Sequence, residues 1–245
     1  MHIIQITDLH LTKDPKENVR EVSTHEALKR VNQAIKKINP DLVVITGDVA
    51  ADDPDSQIYE NLFSLMEAVE VPWVVQKGNH DRCQFFAHSF KENAREGFSR
   101  FPINEAFEGI FFDSSAEAMP ISDIVQLESY FSETDKSTVL FTHYPPINVG
   151  HPLFDETYYL KWRERLVESL RCATKPCSIF FGHIHFEFFH KEGLLSFYGT
   201  PSASLPILPG HPDFCYDPKG CYYRSIFVKN NQLKTEVFDV PLAPF

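Results

Sequence analysis

Five short fragments carry residue types that bind metals and move protons: Asp8-Leu9-His10, Gly47-Asp48, Gly78-Asn79-His80-Asp81, Thr142-His143 and Gly182-His183-Ile184-His185. Each follows an apolar run. Asn79 offers a neutral oxygen, and His80 offers a group that titrates near neutrality and can donate to an anion. On an extended chain, residues two apart point the same way. Asp8 and His10 are therefore expected to address one point, and His183 and His185 likewise. Together Asp8, His10, Asp48, Asn79, His143, His183 and His185 supply two carboxylates, four imidazoles and one amide oxygen. That is too many for one tetrahedral ion and suits two ions sharing a carboxylate. Asp48 is the natural bridge, since a carboxylate has two oxygens.

Imidazole-rich ligation without thiolate points to two divalent ions drawn from Mn, Fe, Zn or Co. Calcium and magnesium prefer all-oxygen sites, and structural zinc usually takes cysteine. Two divalent ions, less the charges of Asp8, Asp48 and one hydroxide, leave a site of net charge plus one, suited to an anionic ester. One Asp or His at a strand end is more often a cap than a ligand, so the weight rests on the ordered set.

These fragments need elements to hold them. His2 to Thr7 reads as a strand. A helix follows from Ser23, where Ser23 and Glu26 have capping-box spacing and Leu28, Val31, Ile35 and Ile38 form one apolar face. Asn39-Pro40 ends it. Leu42 to Ile45 reads as a strand covered on both faces. Ile58, Leu62, Leu65, Met66 and Val69 mark a second helix, and Val71 to Val75 a third strand that stops at Gly78. A helical stretch is expected over 83–101, with a strand at Gly109–Asp113 and a helix at Ile124–Phe131. A strand over Val139–Phe141, a helix over Tyr158–Leu170 and a strand over Ser178–Phe181 follow. Phe186–His190 with Leu194–Tyr198, and Tyr223–Val228 with Leu233–Val240, read as hairpins. Between them, Ser202 to Gly220 is a Pro- and Gly-rich ordered loop. Strands alternating with helices imply a largely parallel sheet in the first two-thirds of the chain, whose ligands collect at strand ends. With no repeat or linker, one domain over 1–245 is expected, residues 200–245 included.

The hydrophobic fraction of 43% with 22 Phe marks a packed globular chain. A net charge of −11 disfavours extended nucleic acid, which needs many Lys and Arg contacts to phosphate. A small anionic substrate remains open to it, because bound metal ions reverse the local sign. Five cysteines, Cys83, Cys172, Cys177, Cys215 and Cys221, form no Cys-x-x-Cys pair and read as reduced structural thiols. No leader-like start and no apolar run of about 18 residues is present, so a cytoplasmic location is expected. His2, His25, His88 and His190 read as ordinary, while His151 and His211 lie in loops near site fragments. Phe85, Phe86, Phe180, Phe181, Phe188 and Phe189 read as core, and Asp52, Asp53 and Asp55 as a solvated face. Phe214 and Tyr216 could cap a base or pack their own loop.

The ordered set Asp-x-His, Gly-Asp, Gly-Asn-His-Asp, Thr-His and Gly-His-x-His resembles the calcineurin-like metallophosphoesterases. Gly199-Thr200-Pro201-Ser202, Pro209-Gly210, Asp213-Phe214 and Tyr223-Arg224 resemble the tail of the class III cyclic-nucleotide phosphodiesterases within them. The resemblance implies an α/β (α+β) four-layer sandwich of two mixed β-sheets flanked by helices, with a dinuclear metal site at the strand C-terminal ends. It implies that Asp8, His10, Asp48 and His185 hold one metal and that Asp48, Asn79, His143 and His183 hold the other. His80 is implied as the catalytic group, contacting the phosphate and assisting the leaving oxygen. His10, Asp48, Asn79 and His185 join it around the substrate. The expected reaction is hydrolysis of a 3′,5′-cyclic nucleotide to the 5′-nucleotide by a metal-bridging hydroxide. Alternatives within the fold are a 2′,3′-cyclic nucleotide, a glycerophosphodiester or a nuclease substrate, and outside catalysis a metal-free interaction scaffold. The related protein phosphatases carry Gly-Asp-x-x-Asp-Arg-Gly, whereas Ala51 stands at the second Asp and the Arg is missing, which counts against a phosphoprotein substrate. Asp52, Asp53 and Asp81 are the candidates to orient His80. Oligomeric state is left open.

Overall fold

In the computed structural model, described over residues 1–81, 84–116, 118–211 and 213–240, the strands form two sheets. In chain order they are β1 (His2–Ile6), β2 (Leu42–Thr46), β3 (Trp73–Gln76), β4 (Phe98–Pro102), β5 (Phe107–Phe112), β6 (Ser137–Phe141), β7 (Cys177–Phe181), β8 (Phe188–Glu192), β9 (Leu195–Gly199), β10 (Tyr222–Lys229) and β11 (Gln232–Asp239). One sheet has the order β11-β10-β1-β2-β3 and the other β4-β5-β6-β7-β9-β8. The strands that carry the five fragments run parallel to their neighbours, β1 with β2 and β3, and β6 with β7. Antiparallel additions make both sheets mixed: β10 and β11 on β1, β4 on β5, and β8 on β9.

Alternation along the strands divides the core into three layers. Ile4, Ile6, Val43, Ile45 and Val75 face α1 (Thr24–Ile38), α2 (Ser56–Glu67) and α3 (Phe86–Phe90). Ile110, Leu140, Ile179 and Phe181 face α4 (Ile121–Glu133) and α5 (Arg163–Leu170). The residues between, Ile3, Val44, Val74, Ile226, Phe111, Val139, Phe141 and Phe180, meet as the inter-sheet core. Helix, sheet, sheet and helix follow one another as four layers, because every central strand is apolar on both faces. Phe111, Phe141, Phe180 and Tyr198 lie in one row of stacked rings across the second sheet.

Three local expectations are corrected. Ser23 is the N-cap of α1, yet its side chain makes no cap bond, and Glu26 pairs with Lys29 instead. The helix expected over 83–101 starts at Cys83, which lies outside the described residues; beyond it stand α3, a 3₁₀ turn at Lys91–Asn93, and then a strand. Strand wins at β4 because Phe101 pairs with Gly109, covers it and stacks on Phe111 at 4.8 Å. An aromatic ring over a strand glycine fills space that the glycine leaves. The helix expected from Tyr158 starts at Arg163 and is preceded by a π turn at Leu153–Thr157. Tyr158 gives its carbonyl to His183, which withholds it from a helical ladder. Phe85 and Phe189 also differ from expectation, 44% and 59% exposed.

At one end the inter-sheet layer turns polar. Arg224 is buried and donates from Nε to Thr200 Oγ1 and from an Nη to the Gly199 carbonyl, both 2.9 Å. Thr200 donates to Gln5 Oε1 at 2.6 Å, and Gln5 donates to Thr46 Oγ1 at 2.9 Å. This chain of bonds runs from one sheet to the other and back, with each member satisfied. Replacing Arg224 by Met removes two charge-assisted bonds to buried acceptors, a loss of about 3 kcal/mol. For a chain of this size that lowers the melting temperature by about 6–12 °C. Calorimetry of Arg224→Met checks it; a drop below about 2 °C would mean that apolar packing alone joins the sheets.

Candidate metal centre

The five fragments leave the C-terminal ends of β1, β2, β3, β6 and β7 and meet where the two sheets face each other. The loops after β1 and β2 are zipped together: Asp8 N donates to the Gly47 carbonyl, His10 N to Asp48 and Leu11 N to Val49. Gly182 N donates to the His143 carbonyl, joining the loops after β6 and β7. The Gly199–Ser202 segment locks onto the first loop, with Ser202 Oγ donating to the Asp8 carbonyl at 2.7 Å.

Asp8 and His10 do converge, but not as neighbours on an extended chain. Asp8 (φ 54°), His10 (45°), Asp48 (51°), His183 (68°) and His185 (62°) all lie in the left-handed region. Non-glycine residues there cost about 1–3 kcal/mol each and cluster at functional sites. The strained turns fold each side chain back over its strand end. Close backbone approach makes glycine necessary beside them. A Cβ at Gly78 would sit 2.1 Å from Asp48 Oδ1, and one at Gly182 would sit 1.9 Å from Thr7 Oγ1 and 2.8 Å from Asp8 Oδ2.

All seven expected ligand residues come together, in groups whose donor atoms could hold a metal ion: Asp8, His10 and His185; His10, Asp48 and His80; and Asp48, His143 and His183. Asn79 lies among the last group, its Oδ1 2.9 Å from His183 Nδ1 and 3.0 Å from His143 Nε2. Asp48 stands between the groups. Its Oδ1 is 3.5 Å from His143 Nε2, and its Oδ2 is 3.9 Å from His10 Nε2. Backbone carbonyls fix three imidazole tautomers. His143 Nδ1–H donates to Thr46, His183 Nε2–H to Tyr158 and His185 Nδ1–H to Leu205, at 2.6–2.7 Å. The other nitrogen of His183 and of His185 then aims inward with its lone pair, while His143 turns its Nε2 toward Asp48 and Asn79. His183 Nδ1 consequently meets Asn79 Oδ1 lone pair to lone pair, a contact that a cation between them relieves. His185 Nε2 converges with His10 Nε2 at 3.1 Å. The donor set fits two divalent ions.

Charge follows from burial and neighbours. Asp8 and Asp48 are 0% and 1% exposed. Burial raises the Asp8 carboxyl. Burial also opposes the charge of Asp48, but His143 and His10 outweigh it and hold that carboxyl well below its usual range. Burial would lower His143; the Asp48 carboxylate overcomes it and brings the imidazole up to about 9. Burial drives His183 down to about 3 and His10 well below its usual value. Both are neutral at pH 7, as metal ligation requires.

His80 differs from the ligand histidines in being half-buried. Its backbone N–H donates to Asp48 Oδ1 at 2.9 Å, and its Nδ1 lies 3.9 Å from the exposed Asp52. Asp81 has another task. Its carboxylate accepts from Gly78, Val49 and Ala50 N–H, each at 3.0 Å, tying the loop after β3 to the loop after β2. Burial and the charge of Asp48 push it up to about 6. Asp55, expected as solvated surface, caps α2 through Gln57 N and pairs with Lys13.

His10, Asp48, Asn79, His80, His183 and His185 line a cleft of about 240 Å³, with Asp8 and His143 beneath it. Its remaining wall comprises Val19, Arg20, Ala51, Asp52, Phe154, Tyr158, Leu205, Ile207, Phe214 and Tyr216. Sequence reasoning had singled out Phe214 and Tyr216 but not Arg20, Phe154 or Tyr158. Arg20 stands in a mixed-charge loop with no periodicity, and carbonyl donors such as Leu205 leave no trace in residue type.

Residues 1–187 match the family model described as calcineurin-like phosphoesterase. A probable cyclic nucleotide phosphodiesterase from Fibrobacter succinogenes is 27% identical over 97% of this chain and 93% of its own length. A probable glycerophosphodiester phosphodiesterase from Arcobacter nitrofigilis is 26% identical over 76% of this chain and 72% of its own. A dimetal phosphatase structure from Danio rerio superposes with a TM-score of 0.69 over 99% of each chain, at 11% identity, and shows the shared fold. With the family model spanning more than half its length and two buried His/Asp groups at its strand ends, this chain belongs to the calcineurin-like phosphoesterases, hydrolases that work with two divalent metal ions.

Proposed function

We propose that this metallophosphoesterase opens a 3′,5′-cyclic nucleotide to the 5′-nucleotide. The observation that carries a dinuclear phosphodiesterase reading is Asp48, a buried carboxylate with one oxygen turned toward each group of histidines. Asp8, His10, Asp48 and His185 would hold one ion, and Asp48, Asn79, His143 and His183 would hold the other. Nitrogen-rich ligation without thiolate selects among Mn, Fe, Zn and Co. A cleft of about 240 Å³ over the metal-binding groups suits a small substrate. The net charge of −11 agrees. Free cysteines at 172, 177, 215 and 221, with no helix among the described residues long and apolar enough to cross a membrane, suit a cytoplasmic setting.

When bound, the ions supply Lewis acidity toward the phosphate and an activated water near neutral pH. The chain does the rest. Asn79 and His80 lie beside the shared carboxylate, where the phosphate oxygens collect. His80, outside the ligand set, donates to the leaving ribose oxygen, with the exposed Asp52 3.9 Å from its Nδ1.

Hydrolysis of a panel with Mn supplied tests the substrate: cyclic AMP, cyclic GMP, a 2′,3′-cyclic nucleotide, glycerophosphoethanolamine and a nitrophenyl monoester. Highest kcat/KM on a 3′,5′-cyclic nucleotide is expected. The Arcobacter nitrofigilis relative favours a second reading, a glycerophosphodiester, which the same panel would reveal. Removing the shared carboxylate by Asp48→Ala should abolish activity and metal loading together; elemental analysis showing two metals retained would remove the bridge from the scheme.

His80→Ala should retain both metals and lose about 10²–10⁴-fold in turnover on the cyclic nucleotide, the usual contribution of a positioned proton donor. Nitrophenolate leaves without a proton, so a nitrophenyl diester should suffer far less. Equal losses on both substrates would assign His80 to phosphate binding instead.

A further inference from the structure

The aromatic side of the cleft is not needed to hold metal or phosphate. Tyr158 and Phe214 lie 5.6 Å apart at 35°, and Phe214 and Tyr216 6.2 Å apart at 41°. The row reaches the metal centre at both ends. Tyr216 is 6.5 Å from His185, and Phe154, 5.6 Å from Phe214, is 5.4 Å from His183. These rings line the cleft: Phe154 is buried and Phe214 and Tyr216 pack against the core of the second sheet with part of each ring left toward the cleft, while Tyr158 is 48% exposed.

A separate element brings a cation to the same wall. Val19 and Val22 exchange two backbone hydrogen bonds at 2.9 Å around Arg20 and Glu21. Both central residues have positive φ, 50° and 68°. That is the conformation of a two-residue hairpin turn usually made by Asn-Gly. Two charged residues held there are strained, and such strain marks functional segments. The turn sets the Arg20 guanidinium over the Tyr216 ring, 5.5 Å from its centroid.

We propose that Tyr158, Phe214 and Tyr216, with Arg20, form a nucleobase subsite. The planar base of a mononucleotide stacks on this wall while its phosphate lies over Asp48, Asn79 and His80. Every base has a π face, and aromatic side chains bind it by stacking, with arginine adding a cation–π contribution. A glycerol or ethanolamine group has no ring to offer. The wall therefore separates a nucleotide substrate from the aliphatic diesters that the metal centre alone would accept. The inference rests on the nucleotide reading above, and it is tested by binding so that the two can fail separately.

Dissociation constants are measured for 5′-AMP and ribose 5-phosphate on the manganese-loaded protein, by calorimetry. The two share the phosphate and sugar and differ by the base. AMP is expected to bind about 10- to 100-fold more tightly, the range of one stacked base. In Phe214→Ala the AMP affinity should fall to within about threefold of that for ribose 5-phosphate. The exposed-turn variant Arg20→Gln should narrow the gap in the same direction by less, and it decides the matter if Phe214→Ala does not fold. Equal affinities in the wild-type protein, or a gap that survives substitution, overturns the subsite and leaves the phosphodiesterase reading standing. An AMP preference that depends on Phe214, in a protein that hydrolyses no cyclic nucleotide, would uphold the wall and end that reading.

Discussion

Two carboxylates buried near each other are the constraint around which this structure is arranged. Asp8 and Asp48 have almost no contact with water, and burial together with the charge of Asp48 raises the Asp8 carboxyl. An unpaired buried charge costs several kcal/mol, so the fold must surround this pair with positive potential. Part of that comes from backbone N–H groups, His183 onto Asp8 and His80 onto Asp48. Part comes from His143, whose imidazolium the Asp48 charge supports. The remainder is what two divalent cations supply. The strained left-handed turns follow from the same need, since they bring N–H donors and imidazoles onto the carboxylates within two or three residues of a strand end.

Because the residues come from both sheets, the geometry of the centre reports how the sheets pack. Asp8, Asp48 and Asn79 belong to one sheet and His143 and His183 to the other. A shift between the sheets would move one half of the constellation against the other. Two features oppose that shift. The inter-sheet core is mostly rings and β-branched side chains, which slide poorly past one another. At the site end the core gives way to the polar relay from Arg224 through Thr200 and Gln5 to Thr46, whose carbonyl also receives His143 Nδ1–H. A buried polar network of this kind is geometrically demanding, and here it terminates on a residue that orients a metal-binding ring.

The order of elements and the convergence at the strand ends were legible in the sequence, because apolar runs ending in Gly-Asp or Thr-His state both a strand and its loop. The four layers were not; they came with the family resemblance. Periodicity finds a strand but cannot say which sheet receives it, so the largely parallel pairing expected for the first two-thirds of the chain holds, while its division between two sheets was not legible. It also misread 98–101 as helix. A strand justified by one ring covering one glycine across the sheet, Phe101 over Gly109, is a pair interaction invisible to any window of sequence. Asp81 shows the same limit at the site. It reads as a neighbour able to orient His80, and in the structure its carboxylate accepts from three backbone N–H groups 3 to 32 residues away in the chain.

The carbonyls behind the histidines have a wider consequence. Thr46, Tyr158 and Leu205 each fix one imidazole by accepting its outer N–H, and two of the three belong to the segments that also build the cleft wall. Residue 158 contributes its carbonyl to His183 and its ring to the aromatic row; Leu205 contributes its carbonyl to His185 and its side chain to the lining. Metal-ligand orientation and wall position are thus carried by the same peptide units. A displacement of the wall at Tyr158 or Leu205 would therefore displace the acceptor that orients His183 or His185, so the position of the wall and the aim of these two imidazoles are set together.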